Sequence, residues 1–288
     1  MELSRRALDY WGLAARSEPF GNTLKDENSV FVWPEFESAV ESLLGVIERR
    51  QIAALVGSTC SAKTTIWQTV QHRMREHGGL WSCCQPVSKD PAHYNETCLL
   101  RAVKESILPE DGTRTNAFRR DRESRARQVR QLLEGENARR NPVTLAIDNA
   151  QDCGISFLLL CKRIWDDVYG YDRLLSMIFI GHAGLATMIA KERELAERAQ
   201  IIRAPGLGEH LGAYLQFELA RCACNRPLFE DNALEELAKL EGNGNWLSRR
   251  DHPLIVNNIV SRALQQGFHI KAKSVGRDLV AEAMKAEG

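Results

Sequence analysis

Lys63 and Thr64 close a run of small residues, Gly57-Ser58-Thr59-Cys60-Ser61-Ala62-Lys63-Thr64-Thr65, whose types and order suit the holding of phosphate. Small side chains let successive backbone N–H groups point into one concavity, and the N-terminus of a following helix adds positive potential to it. Lys63 would then reach the β- and γ-phosphates of a nucleotide such as ATP, and the Thr64 hydroxyl would ligate Mg²⁺. The pattern G-x-x-x-x-G-K-[ST] has a second glycine where this chain has Ala62. A methyl group is tolerated there if the φ angle of that residue is negative. The competing reading is a strand–turn–helix with a surface Lys-Thr, so the flanking elements decide.

Those flanks have the required order. Residues 52–56 are a short apolar run ended by Gly57, a buried strand, and residues 66–75 have helical character. A second informative segment, PVTLAIDNAQD at 142–152, gives a strand at 143–147 with Asp148 at its C-terminal end. In a parallel α/β sheet that end faces the ligand crevice, so Asp148 is the carboxylate expected to hold Mg²⁺ together with Thr64. Residues 80–87, 174–181 and 201–204 supply three further strands, which makes five in all. His182 follows the strand at 174–181 and is either a γ-phosphate sensor or a structural histidine. A helix over 183–199 ends near Arg198, which is placed to reach the nucleotide of a neighbouring subunit.

Around this frame, 1–34 reads as an aromatic arm packed on the main domain, followed by a helix over 35–49. Further helices are expected over 93–107, 117–133 and 154–170, with a loop at 109–115. Beyond Pro205-Gly206 the pattern is helical, at 209–224, 231–241, 252–266 and 274–285, with a break at Gly267. The organisation is therefore an arm (1–34), an α/β nucleotide-binding domain (35–206) and a small all-helical lid domain (207–288). The oddest composition lies at 114–130, where Arg114, Arg119, Arg120, Arg122, Arg125, Arg127 and Arg130 face only Asp121 and Glu123. Arg119, Arg122 and Arg130 would share one side of the helix. Planar guanidinium groups suit the phosphates of double-stranded DNA. A solvated helix face laced with Glu–Arg pairs is the alternative.

Composition narrows the class. With 38 Lys+Arg against 38 Asp+Glu the formal net charge is zero, so any attraction to nucleic acid must be local. No apolar run approaches a membrane span, and Met1–Arg6 leads into no signal-peptide core, which points to a cytoplasmic protein without membrane association. Its eight cysteines are scattered and lack zinc-ribbon spacing, as expected of buried, reduced thiols.

Taken together, these segments resemble the AAA+ ATPases of the ExeA/TniB group, which includes MuB- and TnsC-like transposition target-selection proteins. The resemblance is carried by Tyr10-Trp11-Gly12-Leu13 with Pro19-Phe20, by Phe31-Val32-Trp33 before the 35–49 helix and by Leu145-Ala146-Ile147-Asp148-Asn149-Ala150-Gln151. The most group-specific match is Pro253-Leu254-Ile255-Val256-Asn257-Asn258, followed by Arg262-Ala263-Leu264. It implies a protein that assembles on DNA as a ring or helical homo-oligomer when ATP-bound and recruits a transposase. An ExeA-like secretion-associated ATPase and a non-hydrolysing adaptor are the alternatives. The first would carry a membrane span and a cell-wall-binding region after the lid, features not found before Gly288. Three departures bear on catalysis. Ala62 replaces the loop glycine, Asn149 stands where the group has its catalytic Glu, and Leu254 stands where a sensor Arg is common. An amide can position water but not accept its proton, so hydrolysis is expected to be weak. Asp152, if turned inward, and Arg249 or Arg250 are the candidates to compensate.

Overall fold

The computed structural model describes residues 3–13, 19–21, 29–58, 61–76, 81–86, 94–108, 118–224, 226–241 and 251–286. Thr59, Cys60, Arg114, Arg249, Arg250 and the loop expected at 109–115 lie outside them. In chain order the elements open with α1 (Arg5–Trp11), α2 (Pro34–Glu48), β1 (Ile52–Val56), α3 (Lys63–Glu76), β2 (Ser82–Cys84), α4 (Glu96–Ile107), α5 (Arg122–Ala138) and β3 (Val143–Ile147). Next come α6 (Ile155–Trp165), β4 (Val168–Tyr169), β5 (Asp172–Arg173), β6 (Ser176–Gly181), α7 (Ala183–Lys191), α8 (Arg193–Ala196) and β7 (Ala199–Arg203). The chain closes with α9 (Leu211–Arg221), α10 (Asp231–Ala238), α11 (Pro253–His269) and α12 (Arg277–Lys285). They fall into two compact units, Ser38–Gly57 with Ile66–Ala204, and Met1–Glu37 with Ser58–Thr65 and Pro205–Gly288.

The first unit is built on a parallel five-stranded sheet in the order β2-β3-β6-β1-β7. Every residue of β1, β3 and β6 is buried, as expected of central strands covered by helices on both faces. β7 is largely exposed and forms one edge. Four local expectations change. Residues 154–170 are not one helix: α6 stops at Trp165, and β4 and β5 form a hairpin around Gly170, whose φ is +63°. Asp166-Asp167 at the helix end oppose its dipole, and Trp165 is pinned by donating to Arg50 O at 2.8 Å with the Arg173 guanidinium 4.0 Å from its ring centroid. The expected 183–199 helix is split at Glu192, whose backbone is extended, into α7 and α8. The strand expected at 80–87 is described only at 82–84. Finally, α5 starts five residues later than the expected 117–133 helix, because Asp121 caps it by accepting the Ser124 N–H at 2.8 Å. Arg119 is therefore off the helix and does not share a side of it with Arg122 and Arg130.

In the second unit the arm, expected to pack on the main domain, is grouped with C-terminal helices and lies on them. Trp11 is fully buried and donates to Leu264 O of α11 at 2.8 Å, and Ser4 bonds Gln265 through both its N–H and its hydroxyl. Phe31 stacks on Trp33 and meets Tyr214 and Phe217 of α9 edge-on or tilted. The Tyr214 hydroxyl donates to Asn257 Oδ1 at 2.6 Å, and burial pushes its pKa up. Gly267, expected as a helix break, lies inside α11, because the Trp11 ring occupies the place where its side chain would be. A Cβ there would stand 2.8 Å from Trp11 Cζ2. Among the described residues no helix is long and apolar enough to cross a membrane.

A glycine inside a helix ordinarily costs roughly 0.5–1 kcal/mol relative to alanine. Gly267→Ala should reverse that sign and destabilise by about 1–3 kcal/mol through overpacking against Trp11. Urea denaturation with an unchanged slope checks it.

Candidate functional site

Parallel pairing brings the C-terminal ends of β3, β6 and β1 to one edge of the sheet. Asp148, His182 and Gly57 leave from that edge in this spatial order, with His182 in the middle. The ladder runs on past the strand ends, as Gly57 N donates to Gly181 O at 3.3 Å and Ala204 N to Val56 O at 2.8 Å.

The loop leaving β1 turns tightly before α3, with Ser61 N donating to Ser58 O at 3.2 Å and Lys63 N to Ser61 O at 2.8 Å. Ala62 is not among the residues of positive φ, so its methyl group, buried at 8% exposure, fits a backbone that did not need glycine. α3 opens with Lys63, Thr64 and Thr65 and has no acidic side chain in its first turn, so its amide dipoles face no built-in anion. Thr64 is exposed. The Lys63 ammonium folds back onto the loop, donating to Ser58 O at 2.7 Å and Ser61 Oγ at 3.0 Å. Both are oxygen acceptors of the kind that phosphate offers.

Asp148 is exposed, and its Oδ1 accepts the N–H of Asn149 at 2.9 Å. Asn149 adopts the left-handed conformation, φ 50° and ψ 40°, as the chain turns into a short 3₁₀ segment at Ala150–Cys153. Asn is among the few side chains that take this backbone readily. Asp152 is exposed and accepts from Gln151 Nε2 at 3.2 Å. Gln151 Oε1 in turn accepts the His182 N–H at 3.2 Å and fills the space a side chain at Gly181 would need. Gln151 thus ties the turn after β3 to the end of β6. It stood in the sequence signature without a role. His182 is exposed and caps α7, its Nδ1 accepting the Gly184 N–H at 3.0 Å, which leaves the proton of the neutral ring on Nε2.

Arg198 is exposed just before β7, at the edge where the strands begin, opposite to Asp148, His182 and Gly57. The arginines around α5 are largely paired. Arg122 meets Glu96 at 2.6 Å, Arg127 meets Glu123 at 3.3 Å, and Arg130 meets Glu134 at 2.9 Å. Arg125 donates to Arg120 O at 2.6 Å and lies over the Phe118 ring. Arg119 and Arg120 are exposed, and among the described residues no carboxylate is paired with them. Burial pushes the Cys83 thiol up to about 11 and Cys84 up to about 12, so neither supplies a thiolate near neutral pH.

Sequence reasoning missed Asp251 and His252, both 2% exposed, at the start of α11. Ser58 Oγ lies 2.9 Å from His252 Nε2, while His252 Nδ1 lies 3.3 Å from Pro205 O. A carbonyl only accepts, so Nδ1 carries the proton and Nε2 takes the Ser58 hydroxyl proton. Asp251 Oδ2 accepts the Gly208 N–H at 2.7 Å, and Asp251 O accepts the Leu207 N–H at 2.9 Å. The available signal was Asp-His-Pro, a helix start with proline at its first position.

Asn149→Ala should cost about 1 kcal/mol through left-handed strain, while Asn149→Gly stays close to wild type. Chemical denaturation of the two variants side by side checks this.

No protein-family model and no curated protein sequence matches the chain. Solved structures do. Cdc6p from Pyrobaculum aerophilum aligns with a TM-score of 0.61 at 17% identity, over 95% of this chain and 72% of that one. The Aeropyrum pernix ORC2 protein in its ADPNP–ADP complexes gives 0.57 at 13% identity, over 95% and 72%. The A. pernix ORC1 protein in complex with DNA gives 0.52 at 16%, over 92% and 68%. At these identities the likeness shows the fold. A five-stranded parallel sheet flanked by helices, it is that of the AAA+ P-loop ATPases.

Proposed function

We propose that the chain is an ATP- and Mg²⁺-binding AAA+ protein that acts on double-stranded DNA as a homo-oligomer and regulates transposition by recruiting a transposase. The observation that carries the nucleotide reading is the loop from β1 to α3, with Lys63 and Thr64 in the first turn of α3 and Asp148 leaving β3 at the sheet edge from which the loop departs. The donor set fits the groups it would hold. A hydroxyl and a carboxylate are the hard oxygen ligands Mg²⁺ takes, and Thr64 and Asp148, each exposed, are of those types. Lys63 would exchange loop oxygens such as Ser58 O and Ser61 Oγ for phosphate oxygens, and the N-terminus of α3 would add its positive potential. Bound Mg²⁺ would offset charge on the phosphates. His182 Nε2–H is a donor for a phosphate oxygen. Asn149 orients water but takes no proton from it, so hydrolysis is slow.

Two further features support the finer reading. Arg198, on the opposite edge of the sheet from its own loop, is suited to a neighbouring subunit's nucleotide, which requires an oligomer. For DNA, Arg119 and Arg120 are the exposed guanidinium groups of the cluster without a carboxylate partner among the described residues, and the ORC1 protein of like fold is in complex with DNA. The transposition role rests on the resemblance of the sequence segments to the ExeA/TniB group.

Lys63→Ala should abolish measurable ATP binding in a fluorescence titration with Mg²⁺; unchanged affinity would remove the phosphate-loop assignment. Arg119→Ala with Arg120→Ala should weaken binding to all duplex sequences alike. It should also flatten the dependence of log affinity on log salt by roughly 0.9 for each phosphate no longer neutralised. Arg122→Ala, which removes a guanidinium already neutralised by Glu96, should change that slope much less.

A further inference from the structure

We infer that Asp251 and His252 form a clasp through which occupancy of the phosphate loop is passed to the start of α11, with His252 as a positioning residue acting on Ser58. This rests on the nucleotide reading of that loop. Ser58 is held at both its carbonyl and its hydroxyl: its carbonyl oxygen accepts from the Lys63 ammonium at 2.7 Å and from Ser61 N at 3.2 Å, and its hydroxyl meets His252 Nε2 at 2.9 Å. Phosphate oxygens compete for the first of these bonds directly. When they draw Lys63 away, the Ser58 peptide loses a charged partner, and the hydroxyl on the same residue is the group that must follow or hold.

His252 cannot follow freely. It is 2% exposed, and its other ring nitrogen donates to Pro205 O at 3.3 Å. The neighbouring Asp251 binds the same segment, through Leu207 N at 2.9 Å and Gly208 N at 2.7 Å. Gly206 between them has no room for a side chain, because the Asp251 carboxylate occupies that space, and its carbonyl accepts from Trp33 Nε1 at 3.1 Å. The segment 205–208, which follows β7, is thereby fixed to the first residues of α11, with Ser58 attached to the same ring. A change at the Ser58–His252 bond acts on a ring that is 2% exposed and held at Pro205 O, so it is passed to residues 205–208 and the helix start together.

Hydrogen exchange on the full chain, with ATP and Mg²⁺ as the probe, tests this. In the wild type, ATP should change exchange at the Leu207 and Gly208 amides and over 254–257 by at least about twofold. Ser58→Ala and His252→Ala should each abolish that change while ATP affinity falls by roughly two- to tenfold, the range for one neutral hydrogen bond. His252→Gln, whose amide oxygen can accept the Ser58 proton, should restore it. A response that persists in both alanine variants overturns the clasp, as does a wild type that binds ATP without any response at these amides. A wild type that binds no ATP overturns the nucleotide reading and the clasp together, so the two failures are told apart.

Discussion

A parallel sheet delivers the C-terminal end of every strand to one edge, and the grouping of Asp148, His182 and Gly57 depends on that constraint. Because β6 lies between β3 and β1, the carboxylate of Asp148, the imidazole of His182 and the turn at Gly57 arrive side by side from positions far apart in sequence. The central strands are buried along their whole length, packed on both faces, and their pairing extends to the residues that leave the edge. Gln151 adds a local brace by receiving the first N–H after β6, so the Asp148 turn and the His182 cap are set relative to each other. The geometry of the edge is therefore determined by hydrogen bonds and packing within the sheet unit, before any ligand is considered.

The loop presents the opposite situation, a cation satisfied by groups it is suited to leave. Each hydrogen bond from the Lys63 ammonium to the loop is worth about 1.5–3 kcal/mol net. Such bonds go to Ser58 O and Ser61 Oγ among the described residues. A phosphate must exceed that sum with its own charge, helped by the helix N-terminus and by loop amides. Such self-capping keeps a half-buried ammonium from standing without an acceptor. It also makes the loop conformation a function of what Lys63 binds. Ala62 belongs to the same arrangement: a negative φ lets a methyl group pack where other loops use glycine, at 8% exposure.

How much of this was legible in the sequence depended on whether the determinant was local. The strands at 52–56 and 143–147 and the helix at 35–49 were readable because a short apolar run and a 3.6-residue period are properties of neighbouring residues. The α5 boundary is also local, since Asp121 caps the helix by accepting the Ser124 N–H, although the helix was expected from 117. The β4–β5 hairpin was hidden because Trp165 is held from Arg50, and Gly267 was misread because its reason is Trp11, an indole on another helix. At Asp251 and His252 only the helix start was readable, from Asp-His-Pro. Ser58 and His252 are separated by 194 positions, and no period or motif relates them.

Asn149 shows why a departure from the pattern of the group that the sequence resembles need not be a simple loss. At the end of β3 the chain reverses in the left-handed region, and the Asp148 carboxylate accepts the N–H of the very residue that turns. Asn suits that backbone, whereas a longer side chain ending in a carboxylate would take it at a cost of roughly 1–2 kcal/mol. The turn also carries Gln151 to His182, so relaxing it to suit a different side chain at 149 would move the brace across the sheet edge. In this chain the residue after Asp148 answers first to the geometry of the edge. A proton acceptor at that position would have to be accommodated by a different turn, not merely substituted into this one.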